Sequence, residues 1–258
     1  MELDLKGRTV LITGGSKGIG FACAAAFAGE GARIAICSRS PDNVSRSVAA
    51  LPGAFGIAAD LTDAAAAAGM IGTVETRLGP IEILVNSAGA AKRAPPDELT
   101  PGLWRAAMDA KFFTYINVID PLVKRMAGRG HGVIVNVIGI GGKTPSQAHL
   151  AGGSANAALM LATAGLGAAY AANGVRVVGV NPGLTETGRV AEGMEALARL
   201  EGISPAEAHR RSVERIPIGR MASPEEVAGA VVFLASGKAS YITGVTIAMD
   251  GAQHPSVL

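Results

Sequence analysis

The chain has 258 residues, of which 49% are hydrophobic and 17% are charged, and its formal net charge is +2. This composition excludes an intrinsically disordered chain and a coiled coil, and the length allows one α/β domain with a full hydrophobic core. The small, dispersed charge gives no reason to expect nucleic acid or an anionic membrane surface as a partner.

The amino terminus carries no targeting signal that we can identify. Residues Met1 to Lys6 are too polar for a secretory signal peptide. No run of about 18 or more apolar residues occurs, which predicts that no segment spans a membrane. We therefore expect a cytoplasmic protein. Cys23 and Cys37 lack the spacing of metal ligands, so we expect reduced core thiols and no metal site.

Short apolar segments alternate along the chain with longer segments of helical character. Several apolar segments are continuous, which is typical of strands covered on both faces. The alternation predicts a parallel, doubly wound α/β sheet with helices on both faces. No change of composition marks a linker, so residues 1–258 are predicted to form a single domain. The predicted strands are Thr9–Ile12, Arg33–Cys37, Ala54–Ala58, Ile83–Val85, Val133–Ile138, Arg176–Val180 and Val245–Met249.

The first predicted strand leads into the glycine turn Thr13-Gly14-Gly15-Ser16-Lys17-Gly18-Ile19-Gly20, and an Ala-rich helical segment, Phe21 to Ala28, follows. A strand, a tight turn and a helix in this order bring backbone N–H groups and the positive end of a helix to one point. Glycine lets the backbone turn sharply and lets an anion approach without a Cβ in the way. The turn therefore predicts a phosphate site, although ordinary loops share such patterns.

Capping residues mark the later helices. Thr100-Pro101 predicts the start of a long helix that runs to about Ala127 and is kinked at Pro121. A second helix is predicted from near Ser154 to Asn173-Gly174, and Ser223-Pro224 opens a third. The polar segment 186–215 is predicted to form short helices and a substrate lid, because ligands of open α/β sheets bind at the carboxyl ends of strands.

These motifs together resemble the short-chain dehydrogenase/reductase family over nearly the whole chain. The glycine turn is similar to that family's T-G-x-x-x-G-x-G pattern, and Asn86-Ser87-Ala88-Gly89 is similar to its N-N-A-G element. Asn181-Pro182-Gly183 resembles the turn that holds the nicotinamide carboxamide, and Asp60-Leu61 lies where the family binds adenine. The resemblance implies a Rossmann-like, seven-stranded, mostly parallel sheet that binds a dinucleotide.

The resemblance also implies which residues bind the cofactor. They are Gly14, Ser16, Lys17, Gly18, Ile19, Gly20, Ser38, Arg39, Asp60, Leu61, Asn86, Ala88, Gly89, Asn156, Pro182, Gly183, Thr185 and Thr187.

The end of the second predicted strand favours NADP(H) over NAD(H). Enzymes that bind NAD carry an acidic residue there for the ribose 2′-hydroxyl. This chain has Cys37-Ser38-Arg39-Ser40 instead. Arg39 offers a charge-assisted fork for a 2′-phosphate, Ser38 offers a hydroxyl, and Lys17 offers a second cation. Both cations could instead be solvated surface residues, and NAD(H) remains the less favoured alternative.

The family's acid/base residues are not at the positions that the resemblance assigns to them. The family uses Ser, Tyr and Lys, with Asn on the preceding long helix. Counting from the flanking motifs, Gly139 falls at the Ser position, Gly152 at the Tyr position, Asn156 at the Lys position and Lys111 at the Asn position. The resemblance therefore implies a cofactor site without the usual tetrad.

Three residues are candidates for a rebuilt acid/base site. In the family fold, the positions of Lys111 and Asn156 face each other near the nicotinamide ribose, so the resemblance implies that the Lys and Asn are exchanged. A desolvated Lys has a lowered pKa and could act as an acid. His149 lies just before the Tyr position, and Tyr115 lies one helical turn after Lys111. The alternatives are a loop histidine, a core tyrosine and a lysine that pairs with Asp109.

Three functions remain open on this reading. The favoured one is an NADP(H)-dependent oxidoreductase on a small carbonyl or alcohol substrate. The others are a catalytically inactive NADP(H)-binding or sensor protein, and a non-redox lyase or isomerase on the same scaffold. The family resemblance implies a homo-oligomer, a tetramer or a dimer, through helices around 100–127 and 154–172 and the last strand.

Overall fold

A computed structural model describes residues 2–89 and 91–255. These residues form one seven-stranded sheet in the order β3-β2-β1-β4-β5-β6-β7, and every strand pairing is parallel. The predicted doubly wound α/β fold is therefore confirmed. The strands are β1 Thr9–Thr13, β2 Arg33–Ser38, β3 Phe55–Ala58, β4 Ile83–Asn86, β5 Gly132–Val137, β6 Val175–Pro182 and β7 Thr246–Met249.

Helices cover both faces of the sheet. One core lies between the sheet and two helices that contact each other, α1 and α9, with Phe27 and Val231 at its centre. The opposite core lies under α3, α5 and α6, and includes Met70, Leu122 and Leu159. The helices are α1 Gly18–Gly29, α2 Pro41–Ala50, α3 Ala64–Leu78, α4 Pro101–Ala107, α5 Thr114–Arg129, α6 Leu150–Tyr170, α7 Arg189–Glu201, α8 Pro205–Glu214 and α9 Pro224–Ala235.

The long helix predicted over 100–127 is interrupted. The Thr100 side chain caps α4 by accepting a hydrogen bond from the Leu103 backbone N–H. A π-helical turn, Met108–Phe113, then separates α4 from α5. Helix α5 runs through Pro121 to Arg129 without a break, so the interruption lies before the proline. The irregular turn falls instead where the chain places Lys111, and such turns are frequent at functional sites.

Helix α6 begins at Leu150, earlier than the predicted start near Ser154. Two consecutive glycines, Gly152 and Gly153, weaken a helix prediction. In the fold, however, a Cβ on Gly153 would lie 2.8 Å from the Gly141 carbonyl oxygen, so the helix start packs against a neighbouring turn. The first turn of α6 is therefore stabilised by close packing of its backbone and not by the intrinsic helix propensity of its residues.

The carboxyl ends of the parallel strands meet at one edge, and α7 and α8 lie beyond the end of β6 there. Met194, Ala198 and Ala208 form a small core between these two helices. Ser204 caps α8 by accepting from the Glu207 N–H. Segment 186–215 therefore contains two short helices that pack against each other, as predicted. It lies at the edge of the sheet where open α/β proteins bind their ligands.

The two cysteines are buried in the fold and are not bonded to each other. Cys23 and Cys37 are free, and burial raises the pKa of each thiol to about 12. Among residues 2–89 and 91–255, no three His, Cys, Asp or Glu side chains form a metal-binding group.

Within the same residues, one helix, Gln147–Asn173, is long and apolar enough to cross a membrane by length and composition. One face of it packs in the protein, where Leu159 and Thr163 are fully buried.

Candidate active site

The glycine turn after β1 is shaped by contacts that exclude side chains. Gly14 and Gly18 have φ angles of +67° and +54°, which glycine adopts without strain. A Cβ on Gly14 would lie 2.7 Å from the Ser87 carbonyl oxygen, and one on Gly20 would overlap the Gly14 carbonyl. Helix α1 starts at Gly18, so its free N–H groups face the turn. These features fit a dinucleotide phosphate.

A cleft of about 420 Å³ extends from this turn across the ends of β1, β2 and β4. Eleven of the predicted cofactor residues line it, which brings together parts of the chain more than 170 residues apart. They are Gly14, Ser16, Lys17, Gly18, Ile19, Ser38, Arg39, Leu61, Ala88, Gly89 and Thr187.

The other predicted cofactor residues lie elsewhere. Gly20 lies beneath the turn. Asn86 is fully buried, with its side chain between Thr13, at 3.2 Å, and Asn136, at 3.0 Å. Four more line a further cavity that overlaps the second cavity described below, and these are Asn156, Pro182, Gly183 and Thr185.

Asp60 is held in a turn at the end of β3. Its carboxylate accepts hydrogen bonds from the Thr62 N–H at 3.0 Å and hydroxyl at 2.8 Å. These bonds, and more weakly the charge of Arg39, lower the pKa of Asp60. The carboxylate is therefore ionised and near Arg39, but its partner in hydrogen bonding is Thr62.

Two cations, Arg39 and Lys17, lie at the end of the cleft next to β2, and β2 itself contains no acidic residue. Within the described chain, neither Arg39 nor Lys17 forms a hydrogen bond or an ion pair through its side chain. Ser38 is half-buried beside Arg39, and both line the cleft. A guanidinium fork, a hydroxyl and an ammonium suit a phosphate better than they suit a neutral ribose.

A second cavity adjoins the cleft and shares Gly89, Arg189 and Glu192 with it. Its wall contains all three predicted acid/base residues, Lys111, His149 and Asn156. The structure thus brings these side chains together from the π-helical turn, the turn before α6 and the second turn of α6. They face the cofactor cleft from one side.

Lys111 projects from the π-helical turn into the protein and is only 8% exposed. Its Nζ donates to the Tyr115 hydroxyl at 2.8 Å and to the Val137 carbonyl at 3.1 Å. The Tyr115 hydroxyl also donates to Val137. Burial, and then the charge of Arg189, lower the pKa of Lys111 to about 7. Burial raises the pKa of Tyr115, so the phenol keeps its proton.

The imidazole of His149 occupies the space beside Gly152. A Cβ built on Gly152 would overlap this ring and approach its Nδ1 to 2.7 Å. Nδ1 is buried and has no hydrogen-bond partner within the described chain. Burial, followed by the charges of Arg93 and Lys111, lowers the pKa of His149 to about 4. The imidazole is therefore neutral at physiological pH.

Asn156 has a similar relation to Gly139. Gly139 has a φ of +122°, which disfavours any side chain, and a Cβ there would lie 3.2 Å from Asn156 Nδ2. Asn156 is buried but lines the cavity. Both glycines that the resemblance places at the Ser and Tyr positions are thus adjacent to a polar side chain from another position.

Sequence reasoning missed the arginines of the second cavity, Arg93, Arg189 and Arg199. Arg93 follows β4 in a loop, where no periodic pattern exists to place it. Arg189 and Arg199 lie on α7 with Gly193 and Ala196, at helical spacing, and all four line the cavity. That spacing in segment 186–215 is the signal that could have identified the face of α7 that lines the cavity.

Comparison with known proteins adds to this geometry. Residues 14–254 match the sequence model of a family described as enoyl-(acyl carrier protein) reductase. The chain is 33% identical over 246 residues to acetoacetyl-CoA reductase of Shinella zoogloeoides, covering 95% of this chain and 98% of the relative. It superposes on a variant of actinorhodin polyketide ketoreductase solved with NADPH, with a TM-score of 0.92, 28% identity and coverage of 96% and 98%. L-sorbose reductase from Gluconobacter frateurii, solved with NADPH and L-sorbose, gives a TM-score of 0.91 at 28% identity and full coverage of both chains.

Proposed function

The chain belongs to the short-chain dehydrogenase/reductase family of oxidoreductases, and from this premise we propose that it transfers hydride between NADP(H) and a carbonyl or alcohol substrate. We further propose that Lys111, His149 and Asn156 form its acid/base site. The cofactor cleft fits this role, since its glycine turn excludes side chains and its β2 end carries unpaired cations.

One observation carries the proposal. The two glycines at the Ser and Tyr positions do not leave empty space, because the His149 ring covers Gly152 and the Asn156 amide reaches Gly139. A site that had merely lost its function would not need a polar side chain beside each of these glycines. The arrangement is instead expected of a site that still positions polar groups against a ligand.

The chemistry that follows uses these residues in distinct roles. Bound NADPH would supply the hydride. His149 is neutral, so one ring N–H can donate a hydrogen bond to the substrate oxygen as negative charge develops there. Lys111 has a pKa near 7 and can give up a proton at physiological pH, and the Tyr115 hydroxyl and Val137 carbonyl hold its ammonium in place. Asn156 offers an amide for a ribose or substrate hydroxyl.

We expect the purified protein to oxidise NADPH in the presence of at least one carbonyl compound from a panel of ketones, aldehydes and oxo acids. Absorbance of the reduced nicotinamide measures the rate. NADPH should be preferred over NADH by at least about tenfold in kcat/KM, because a 2′-phosphate can pair with Arg39 and Lys17. Arg39→Ala should reduce that preference severalfold while leaving the rate with NADH unchanged.

Two outcomes would contradict the proposal and would favour different alternatives. Tight NADPH binding with no turnover on the panel would favour a catalytically inactive binding or sensor protein. Failure to bind NADP(H) at all would favour a lyase or isomerase that uses the fold without redox chemistry.

We also propose that the protein is a homo-oligomer and that α6 contributes to the contact. The outer face of α6 carries no charge and is exposed at Ser154, Ala157, Leu161 and Ala168, and Leu161 is 77% exposed. A second copy of the chain would cover this stripe, whose small residues allow helices to approach closely.

Leu161→Glu is expected to shift the protein towards smaller species, because it places a charge in the middle of the proposed contact. Light scattering of the eluted protein measures its mass before and after the change. Arg77→Glu on the exposed surface of α3 is a control that should leave the mass unchanged. A wild-type protein with the mass of one chain would refute the assembly, and an unchanged oligomer in Leu161→Glu would exclude this face.

A further inference from the structure

The second cavity, part of whose wall is α7 of the proposed lid, is strongly basic. Five basic side chains and only two acidic ones line it, in addition to His149. The basic residues are Lys92, Arg93, Lys111, Arg189 and Arg199, and the acidic ones are Glu192 and Glu195. Since the whole chain has a formal charge of only +2, this cavity concentrates positive charge locally.

Within residues 2–89 and 91–255, no cation of this cavity forms an ion pair with a carboxylate, whereas the arginines of α8 do. On α8, Arg210 pairs with Glu207 and Glu214, and Arg211 pairs with Glu207. By contrast, Arg93 and Arg199 form no ion pair or hydrogen bond within residues 2–89 and 91–255. Arg189 donates only to the Gly89 carbonyl, at 3.4 Å. The lid therefore leaves its inward cations available to a ligand.

These unpaired cations lie close enough to repel one another. The charge of Arg189 lowers the pKa of Arg93 and of Lys111, after the larger effect of burial in each case. The Arg93 side chain is exposed, so solvent partly screens this repulsion. An anion between them would relieve the repulsion and gain several charge-assisted hydrogen bonds.

The position of Arg93 leaves its guanidinium free for such an anion. Its Nε lies 3.5 Å from the place where a Cβ on Gly193 would stand, so α7 presents bare backbone to the guanidinium. Planar guanidinium forks match the geometry of oxyanions such as carboxylates, sulfonates and phosphates.

We infer that the substrate carries an oxyanion in addition to its carbonyl or alcohol group, and that Arg93 and Arg199 bind this oxyanion under the lid. Arg189, which lines both cavities, stands on the side of the cofactor cleft. The inference that a substrate is involved rests on the proposed function, but oxyanion binding by these residues does not.

The basic cavity and the acid/base site are coupled through charge. The charges of Arg93 and Lys111 both lower the pKa of His149. An oxyanion that neutralises them should raise that pKa towards its ordinary value of about 6.5. His149 can therefore report on occupancy of the cavity even when no reaction occurs.

The test uses sulfate as the probe and protein saturated with NADP, so that the cofactor phosphate sites are filled and no turnover is possible. The chain has four histidines, and loss of one ring resonance in His149→Gln assigns His149 in proton NMR spectra. At ionic strength fixed with chloride, we expect a saturable shift of the His149 resonance with millimolar affinity. Arg93→Gln and Arg199→Gln should each weaken this affinity at least about fivefold, and Arg77→Gln should not.

The absence of a saturable shift up to 0.1 M sulfate would overturn the inference. So would a shift that survives in both Arg93→Gln and Arg199→Gln, since sulfate would then be an adventitious ion only. A second arm compares 4-oxopentanoate with its methyl ester, and we expect the acid to bind the NADP complex at least tenfold more tightly than the ester. Equal binding would also overturn the inference. Oxyanion binding without turnover of any oxo acid with NADPH would instead contradict the proposed function alone.

Discussion

His149→Gln is expected to lower kcat/KM for carbonyl reduction by about two to three orders of magnitude, the cost of removing one hydrogen-bond donor to a developing oxyanion. Glutamine keeps an amide donor but cannot place it where the imidazole covers Gly152. NADPH affinity should stay within about threefold, because His149 lines the second cavity and not the cofactor cleft. Fluorescence titration measures the affinity, and steady-state rates measure the loss.

Glycine variants on α6 test the same role from the opposite side. Gly152→Ala introduces a Cβ that overlaps the His149 ring, so it should displace the imidazole and reproduce most of the loss. Gly165→Ala is the matched control on the same helix, since its Cβ would meet no atom within 4 Å. His131→Gln, a change at an exposed histidine, should also leave the rate unchanged. Full activity in both His149→Gln and Gly152→Ala would contradict the role of His149.

Much of the fold could be predicted from sequence because apolar strands buried on both faces leave a strong pattern. Six of the seven strands lie within one residue of their predicted bounds at both ends, and β6 extends two residues beyond its predicted end, to Pro182. The π-helical turn at Met108–Phe113 could not be predicted in this way, since its residues read as an ordinary continuation of a helix. In the fold this turn places the Lys111 ammonium against the Tyr115 hydroxyl and the Val137 carbonyl, and the second contact joins it to β5.

The candidate site was predictable in its residues but not in its geometry. Register against the family motifs singled out Lys111, His149 and Asn156. That the His149 ring would lie against Gly152 depends on a 3₁₀ turn, Gln147–His149, running directly into α6. Arg93 lies in the loop after β4 and Arg199 lies on α7, and only the fold brings them to one cavity.

Lys111→Met should change the pH dependence of both stability and activity. In the folded protein the Lys111 pKa is about 7, whereas in the unfolded chain it is near 10.5. Between these values the unfolded state binds more protons, so stability must rise with pH, by about 1.4 kcal/mol per pH unit for one group. We therefore expect wild-type stability to gain about 2–3 kcal/mol from pH 7 to pH 9 relative to Lys111→Met, a nearly isosteric variant without the charge. Denaturant unfolding of both proteins at pH 7, 8 and 9 measures the difference.

The window of this experiment has to end near pH 9, because the buried thiols act in the opposite direction above it. Burial raises the pKa of Cys23 and of Cys37 from about 9 to about 12, so the unfolded chain loses these protons first and stability falls. Both proteins share this effect, and the difference between their stabilities isolates the contribution of Lys111.

In activity, the reductive rate of the wild type should fall as pH rises through about 7, because the ammonium that supplies the proton is lost. Lys111→Met should be slower by at least about a hundredfold and lack that limb of the profile. Parallel stability curves would show that the lysine keeps an ordinary pKa, and an unaltered rate profile would remove it from proton transfer.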